Sequence, residues 1–291
     1  MPLRVVIDTD IGDDIDDAFA LALACLSPEL EVVAVTTVYG QVHSRAQLAA
    51  RLLGALGRDD IPVAAGSPNP LVGRGPATEP VYLEGLKGVE GRNANIAPLH
   101  AVDLLEKLIS AGEVDVLITI GPLTNVALLL LKRPDLASRV KLVSMAGAYT
   151  MNLAEYNVRC DPEAAGVAFS AGCEKVLVGL DVTLKCQMTW DMLRGLEEGG
   201  EEYMRILSSY TRVWMAKSRH LPILHDPLAV AVAYAPHLVK LEPARVEVEL
   251  AGRFTRGYTV VAGGEPNALF CRDVNAPGFL QLFAERVLKA S

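Results

Sequence analysis

Apolar positions in this 291-residue chain follow two alternating patterns. Short, mostly apolar runs at residues 3–7, 31–38, 62–65, 114–120, 142–145 and 176–180 have the length of strands buried on both faces. Between them lie segments with helical spacing, at 18–26, 43–56, 98–110 and 126–131. In the third of these, Leu99, Val102, Leu105 and Leu108 fall on one face. Asp161-Pro162-Glu163 opens another helix, with aspartate as cap and proline at the first position. Residues 201–217 predict a long helix, and His225-Asp226-Pro227 opens an Ala/Val-rich one ending at Tyr234. The tail then changes character, with short strands at 245–250, 257–261 and 269–272 and a closing helix at 278–289. This alternation predicts an α/β fold: a single-domain, open, mostly parallel, doubly wound sheet with helices on both faces and a small α/β C-terminal extension. No repeat, linker or low-complexity run divides it, so residues 1–291 read as one domain. Residues 69–98, rich in Gly and Pro and without a period, read as a loop on the rim of a pocket.

Composition supports the buried sheet. Hydrophobic residues make up 51% and mean hydropathy is +0.28, while aromatics are only 5%, so the core is aliphatic. The formal net charge of −8 argues against nucleic-acid or anionic-membrane binding, both of which need a basic surface. No apolar run approaches the ~20 residues that span a bilayer. Met1-Pro2-Leu3-Arg4 leads directly into the first strand, without a leader. Cys25, Cys160, Cys173, Cys186 and Cys271 are scattered and form no CxxC pair, which fits reduced thiols and a cytoplasmic location.

The densest chemistry is at the first strand-to-helix turn. Six of the ten positions from Asp8 to Asp17 are aspartate. At an effective dielectric of ~20, two like charges ~4 Å apart cost on the order of 4 kcal/mol, so something must compensate. Protonation would do so, and a divalent cation would do so better. Carboxylates without Cys or His suit a hard ion, Ca²⁺ or Mg²⁺. Capping of the helix by one or two aspartates leaves Asp8 and Asp10 unexplained. Other polar groups fall at strand ends or helix starts: Gly40-Gln41, Gly121 to Asn125, Asn152 with Glu155-Tyr156-Asn157, and His225-Asp226. Around an open parallel sheet these would share one crevice. Each has a structural alternative: Glu155 and Asn157 as caps or loop bridges, Asp226 as a helix opener, His225 as a core or orienting histidine.

As a set, the motifs resemble the inosine–uridine-preferring nucleoside hydrolases. The likeness rests on Asp8-Thr9-Asp10-x-Gly12 with Asp16-Asp17-Ala18, Val35 through Gly40, Gly121-Pro122-Leu123-Thr124-Asn125, Met145-Ala146-Gly147, Ala154-Glu155-Tyr156-Asn157 with Asp161 through Ala165, and His225-Asp226-Pro227, in that order. It implies a ribonucleoside N-glycosidase with bound Ca²⁺, a small-molecule nucleoside substrate and a homodimer or homotetramer. It further implies that Asp10, Asp17, Asp226 and the Ile120 carbonyl ligate the metal and that Asp10 is general base for the attacking water. Asp16, Gln41, Met145, Asn152, Glu155 and Asn157, with Asp226, would hold the ribose. His225 would face the leaving base. The oxocarbenium-like charge of glycosidic cleavage fits carboxylates around the sugar.

The chain departs from the family pattern in three places. Asp13-Asp14-Ile15 lengthens the gap before the paired aspartates, Gln41 stands where asparagine is common, and Leu83-Glu84-Gly85 stands near a histidine carried by many pyrimidine-acting members. Base preference is therefore open, with Trp214 and His220 as candidate base contacts and core packing an equal alternative for Trp214. A haloacid-dehalogenase-type phosphohydrolase also places Asp-x-Asp after its first strand, but Gly12 stands where that family has Thr or Val. An EF-hand fails on spacing. A non-catalytic nucleoside- or ribose-binding protein is the remaining alternative, and intact Asp10 and His225 argue against it.

Overall fold

A computed structural model describes residues 1–86 and 91–289, with side chains at 84–86 left aside. The Glu84 side chain singled out above therefore lies outside the described residues. In chain order the elements are β1 (Leu3–Thr9), α1 (Asp16–Leu26), β2 (Leu30–Thr37), α2 (Val42–Ala55), β3 (Val63–Ala65), α3 (Ala101–Ser110), β4 (Val116–Thr119), α4 (Thr124–Lys132), β5 (Lys141–Met145), α5 (Tyr156–Cys160), α6 (Pro162–Ser170), β6 (Lys175–Val178), α7 (Leu180–Thr183), α8 (Trp190–Glu198), α9 (Glu202–Ser218), α10 (His225–Tyr234), β7 (Val239–Val248), β8 (Thr259–Ala262), β9 (Ala268–Val274) and α11 (Ala276–Phe283).

The strands form one nine-stranded sheet in the order β3-β2-β1-β4-β5-β6-β9-β7-β8. Neighbours from β3 through β9 run parallel, and β7 and β8 close the edge antiparallel. Side-chain alternation sorts the core to both faces. Val5, Ile7, Ile118 and Val143 pack with α1, α2, α9 and α10 on one face, while Val6, Leu117, Leu142 and Leu177 pack with α3, α4 and α6 on the other. This is why the central strands read as mostly apolar runs. The chain steps outward from β1 to β2 and β3, then returns to place β4 on β1's other side. The carboxyl ends of β1 and β4 thus flank a topological switch point, where open α/β sheets bind ligands.

The C-terminal extension is continuous with the main sheet, because β9 pairs with β6 and carries β7 and β8 into it. One expectation is corrected. Helix α3 starts at Ala101, capped by His100 Nδ1, which accepts from the Val102 amide at 3.2 Å. Leu99 therefore precedes the helix and is exposed. Helices α5, α7 and α8 lie in stretches whose apolar periodicity is too short or too irregular to announce them.

Candidate active site

The aspartate turn is built by local bonding. Gly12 has φ +132°, and a Cβ there would lie 2.4 Å from the Pro80 Cβ, so only glycine fits. Thr9 Oγ1 accepts from the Ile11 amide at 3.0 Å and donates to Asp17 Oδ1 at 2.5 Å, tying the strand end to the start of α1. Asp8 turns away into the sheet. Its Oδ1 accepts from Thr36 Oγ1 at 2.5 Å and Asn125 Nδ2 at 2.8 Å. Asn125 also donates to the Thr37 carbonyl and accepts from the Ser67 amide, so the Gly121–Asn125 motif braces the ends of β1 and β2. Asp161 continues the brace, accepting from Thr124 Oγ1 and the Leu71 and Ala164 amides. A Cβ on Gly121 would lie 2.8 Å from Asp10 Oδ1, so this glycine makes room for that carboxylate.

A cavity of about 440 Å³ opens at the switch point. It brings together Asp10, Asp16, Asp17, Ile120, Met145, Glu155, Asn157, His225 and Asp226, drawn from five segments of the chain. Asp13 and Asp14 of the longer turn line it too, as do Leu153, Ala154, Tyr156, Arg159 and Leu180. Leu180 closes the apolar run 176–180 and so could have been placed at the sheet's carboxyl edge, whereas the sequence carries no periodic or motif signal for Arg159. The Arg159 guanidinium lies over the Tyr156 ring, 5.4 Å from its centroid.

Four expected residues fall outside the lining. Gln41 donates its amide to the Ala77 carbonyl at 3.0 Å, the longer side chain reaching the neighbouring loop. Asn152 offers its carbonyl to Tyr258 Oη at 3.0 Å. Trp214 is packed in the core, its ring centroid 5.0 Å from that of His220 in an edge-to-face arrangement. His220 is exposed and bonds the Leu221 carbonyl. Among the described residues of 69–98, none lines the cavity.

Glu155 caps a helix, Asn157 bridges two strand ends, and both line the cavity. Glu155 accepts from the Asn157, Val158 and Gly147 amides at 2.8, 3.2 and 3.0 Å, starting α5 and tying it to the end of β5. Asn157 Nδ2 donates to the Ile120 and Met145 carbonyls at 3.2 and 3.0 Å. The Asp226 amide donates to Asp16 Oδ2 at 3.2 Å, linking the first turn to the start of α10. His225 Nδ1 pairs with Thr183 Oγ1 at 2.7 Å.

Burial makes these charges expensive. It pushes the Asp10 carboxyl up to about 7, against the pull of Arg45. Burial first, then the neighbouring carboxylates, hold Asp16, Asp17 and Asp226 well above the usual range. Burial lowers His225 to about 4, so its ring is neutral near pH 7. Carboxylate oxygens of Asp16, Asp17 and Asp226 converge within 4.8 Å of one another. An all-oxygen set this close, buried and surrounded by further carboxylates, fits a hard cation.

The same architecture recurs in known proteins. The family model described as inosine-uridine preferring nucleoside hydrolase matches residues 5–281. The chain belongs to the nucleoside hydrolase family. The pyrimidine-specific ribonucleoside hydrolase RihA of Salmonella gallinarum is 37% identical over a 311-position alignment covering 99% of each chain. A plant nucleoside hydrolase, PpNRh1, superposes with a TM-score of 0.88 at 28% identity over 100% of both chains. A purine-preferring ribonucleoside hydrolase from Gardnerella vaginalis does so with 0.86 at 28% identity over 98% of both. This nucleoside hydrolase is thus an N-glycosyl hydrolase, and the family's reaction, cleavage of the bond between ribose and base, is the one its cavity has to perform.

Proposed function

We propose that this nucleoside hydrolase releases ribose and free base from ribonucleosides with Ca²⁺ bound, in the cytoplasm. The observation that carries the reading is the meeting of Asp10, Asp17, Asp226 and Ile120 with Glu155 and Asn157 in one cavity. Asp10, Asp17, Asp226 and the Ile120 oxygen would hold the cation, with Asp16 beside them toward the sugar. Bound there, a hard divalent ion supplies positive charge that orients the ribose diol and a water and makes that water more acidic. Asp10 takes the water's proton. Asp16, Glu155 and Asn157 accept and donate hydrogen bonds at the ribose hydroxyls, and Met145 packs against the ring. As the glycosidic bond stretches, positive charge grows on the sugar, and the surrounding carboxylates and carbonyls favour it. His225 stands at the leaving base, with Nδ1 held by Thr183 and Nε2 left for the departing nitrogen.

Sites that bond a hydroxyl reject analogues lacking it, so 2′-deoxynucleosides are expected to react far more slowly than ribonucleosides. The acidic cavity equally disfavours nucleotides and phosphate. A reducing-sugar assay across purine and pyrimidine nucleosides, with and without chelator, tests the reading. Free ribose without added phosphate, lost on chelation and restored by Ca²⁺, is the expected result. Formation of ribose 1-phosphate, or turnover only with phosphate, would overturn it.

A further inference from the structure

The longer aspartate turn has a partner that the acid-rich sequence does not announce. Arg45, in the first turn of α2, is fully buried. Its guanidinium spends every face on the two loops flanking β1 and β2. Nε donates to the Tyr39 carbonyl at 2.7 Å. Nη1 donates to the Asp10 carbonyl and, at 3.0 Å, to the Ile11 carbonyl. Nη2 donates to Asp13 Oδ2 at 2.8 Å. Tyr39 is one of the few non-glycine residues with positive φ, at +66°, and Gly40 follows at +72°. The bend these two form delivers the Tyr39 carbonyl to the guanidinium, at some cost in backbone strain.

The resemblance assigns no role to Asp13, which lies in the lengthened gap. In the structure its carboxylate lies on the cavity wall and is engaged by Arg45. A lysine at position 45 could not reproduce this arrangement. An ammonium is a point charge without the planar fork that reaches three carbonyls and a carboxylate at once. The guanidinium also supplies a buried positive charge whose field is felt at both Asp10 and Asp17.

We propose that Arg45 is a positioning residue for the hydrolysis, fixing the backbone at Asp10 and immediately after it, and that Asp13 serves to anchor Arg45 rather than to touch substrate. The bonds to the Asp10 and Ile11 carbonyls set the direction in which the Asp10 side chain leaves the strand end. A group placed about 1 Å off line loses rate on the order of 10²-fold without losing binding. The inference rests on Asp10 as the base, and the Asp10→Asn variant tests that separately.

The experiment compares Arg45→Lys, Asp13→Asn and the double variant in the full-length, Ca²⁺-loaded enzyme. Steady-state kinetics on one good ribonucleoside are read beside Ca²⁺ titration calorimetry. Arg45→Lys is expected to lower kcat about 10- to 100-fold, with KM and the Ca²⁺ dissociation constant each within threefold of wild type. Asp13→Asn, at a half-exposed position that tolerates the change, is expected to lower kcat about 3- to 10-fold. The double variant should be no slower than Arg45→Lys alone, because both changes remove one arrangement. Arg45→Lys with wild-type kcat would overturn the proposal. So would Asp13→Asn raising KM with kcat unchanged, which would make Asp13 a substrate contact, or full additivity of the two. If Arg45→Lys does not fold, the Asp13→Asn split between kcat and KM decides alone. An inactive Asp10→Asn beside a fully active Arg45→Lys would remove Arg45's role and leave the base intact.

Discussion

In the proposed reaction two side chains would divide the chemistry between water and leaving group, and their surroundings differ. Asp10 is pushed up to about 7 by burial and sits among carboxylates, whereas His225 is lowered to about 4. Asp10→Asn keeps the shape and removes the proton acceptor. We expect kcat to fall by at least about 10³-fold on every substrate, within the range that general base catalysis supplies. His225→Ala should spare substrates whose aglycone leaves without help. Its kcat on a riboside with an activated phenol should stay within about threefold of wild type, while a natural nucleoside loses about 10²-fold or more. A parallel loss on both substrates would remove His225 from the leaving-group side. Asp8 shows how a neighbour two positions away takes a different task. It too is held near 7 by burial, but both of its bonds point into the sheet, so it braces and does not face the cavity.

At the level of elements, the site depends on two strand ends meeting at the switch between β1 and β4. Gly121 marks how close they come: a Cβ there would press on Asp10 Oδ1 at 2.8 Å, the Asp10 amide at 2.9 Å and Val38 at 2.9 Å. Gly121→Ala should therefore displace the base while leaving the sheet pairing intact. The expected outcome is a kcat loss of about 10-fold or more with an unchanged far-ultraviolet circular dichroism spectrum, and wild-type kcat would show that the loop yields at no cost. The parallel sheet and the motif order were legible because they are written locally, as apolar runs closed by Asp, Gly or Asn at each strand end. Asp16, Asp17, Glu155 and Asp226, which line one cavity, stood out in the sequence for the same reason. What was not legible depends on contacts far along the chain. Gln41 is drawn to Ala77, Trp214 is packed under His220, and β9 docks on β6 across 90 residues. Arg45 carries no motif at all, and only the surplus of acid in the turn hinted that a buried cation should exist.

Across the whole molecule, the clustered carboxylates make stability depend on pH in opposite ways with and without the cation. In the cation-free protein, Asp8 and Asp10 hold protons up to about 7, and Asp16, Asp17 and Asp226 are raised as well. The unfolded chain releases those protons near 4. Between about pH 4 and 7 the folded state therefore binds more protons than the unfolded one, and unfolding free energy falls as pH rises through that window. Asp8 and Asp10, each taken alone, contribute up to about 4 kcal/mol at its lower edge. A divalent ion on the ionised carboxylates reverses the sign, because protons compete with it and its affinity grows with pH. At about 100 times its dissociation constant it adds about 2.7 kcal/mol, and for a domain of this size each kcal/mol moves Tm by about 2–4 °C. Thermal unfolding followed from pH 5 to 8 should thus give a chelated enzyme whose Tm declines and a Ca²⁺-saturated enzyme whose Tm holds or rises, the two curves separating as pH increases. Parallel curves, or a chelated enzyme that gains stability toward pH 8, would mean that these acids are ionised in the folded protein without a cation to hold them.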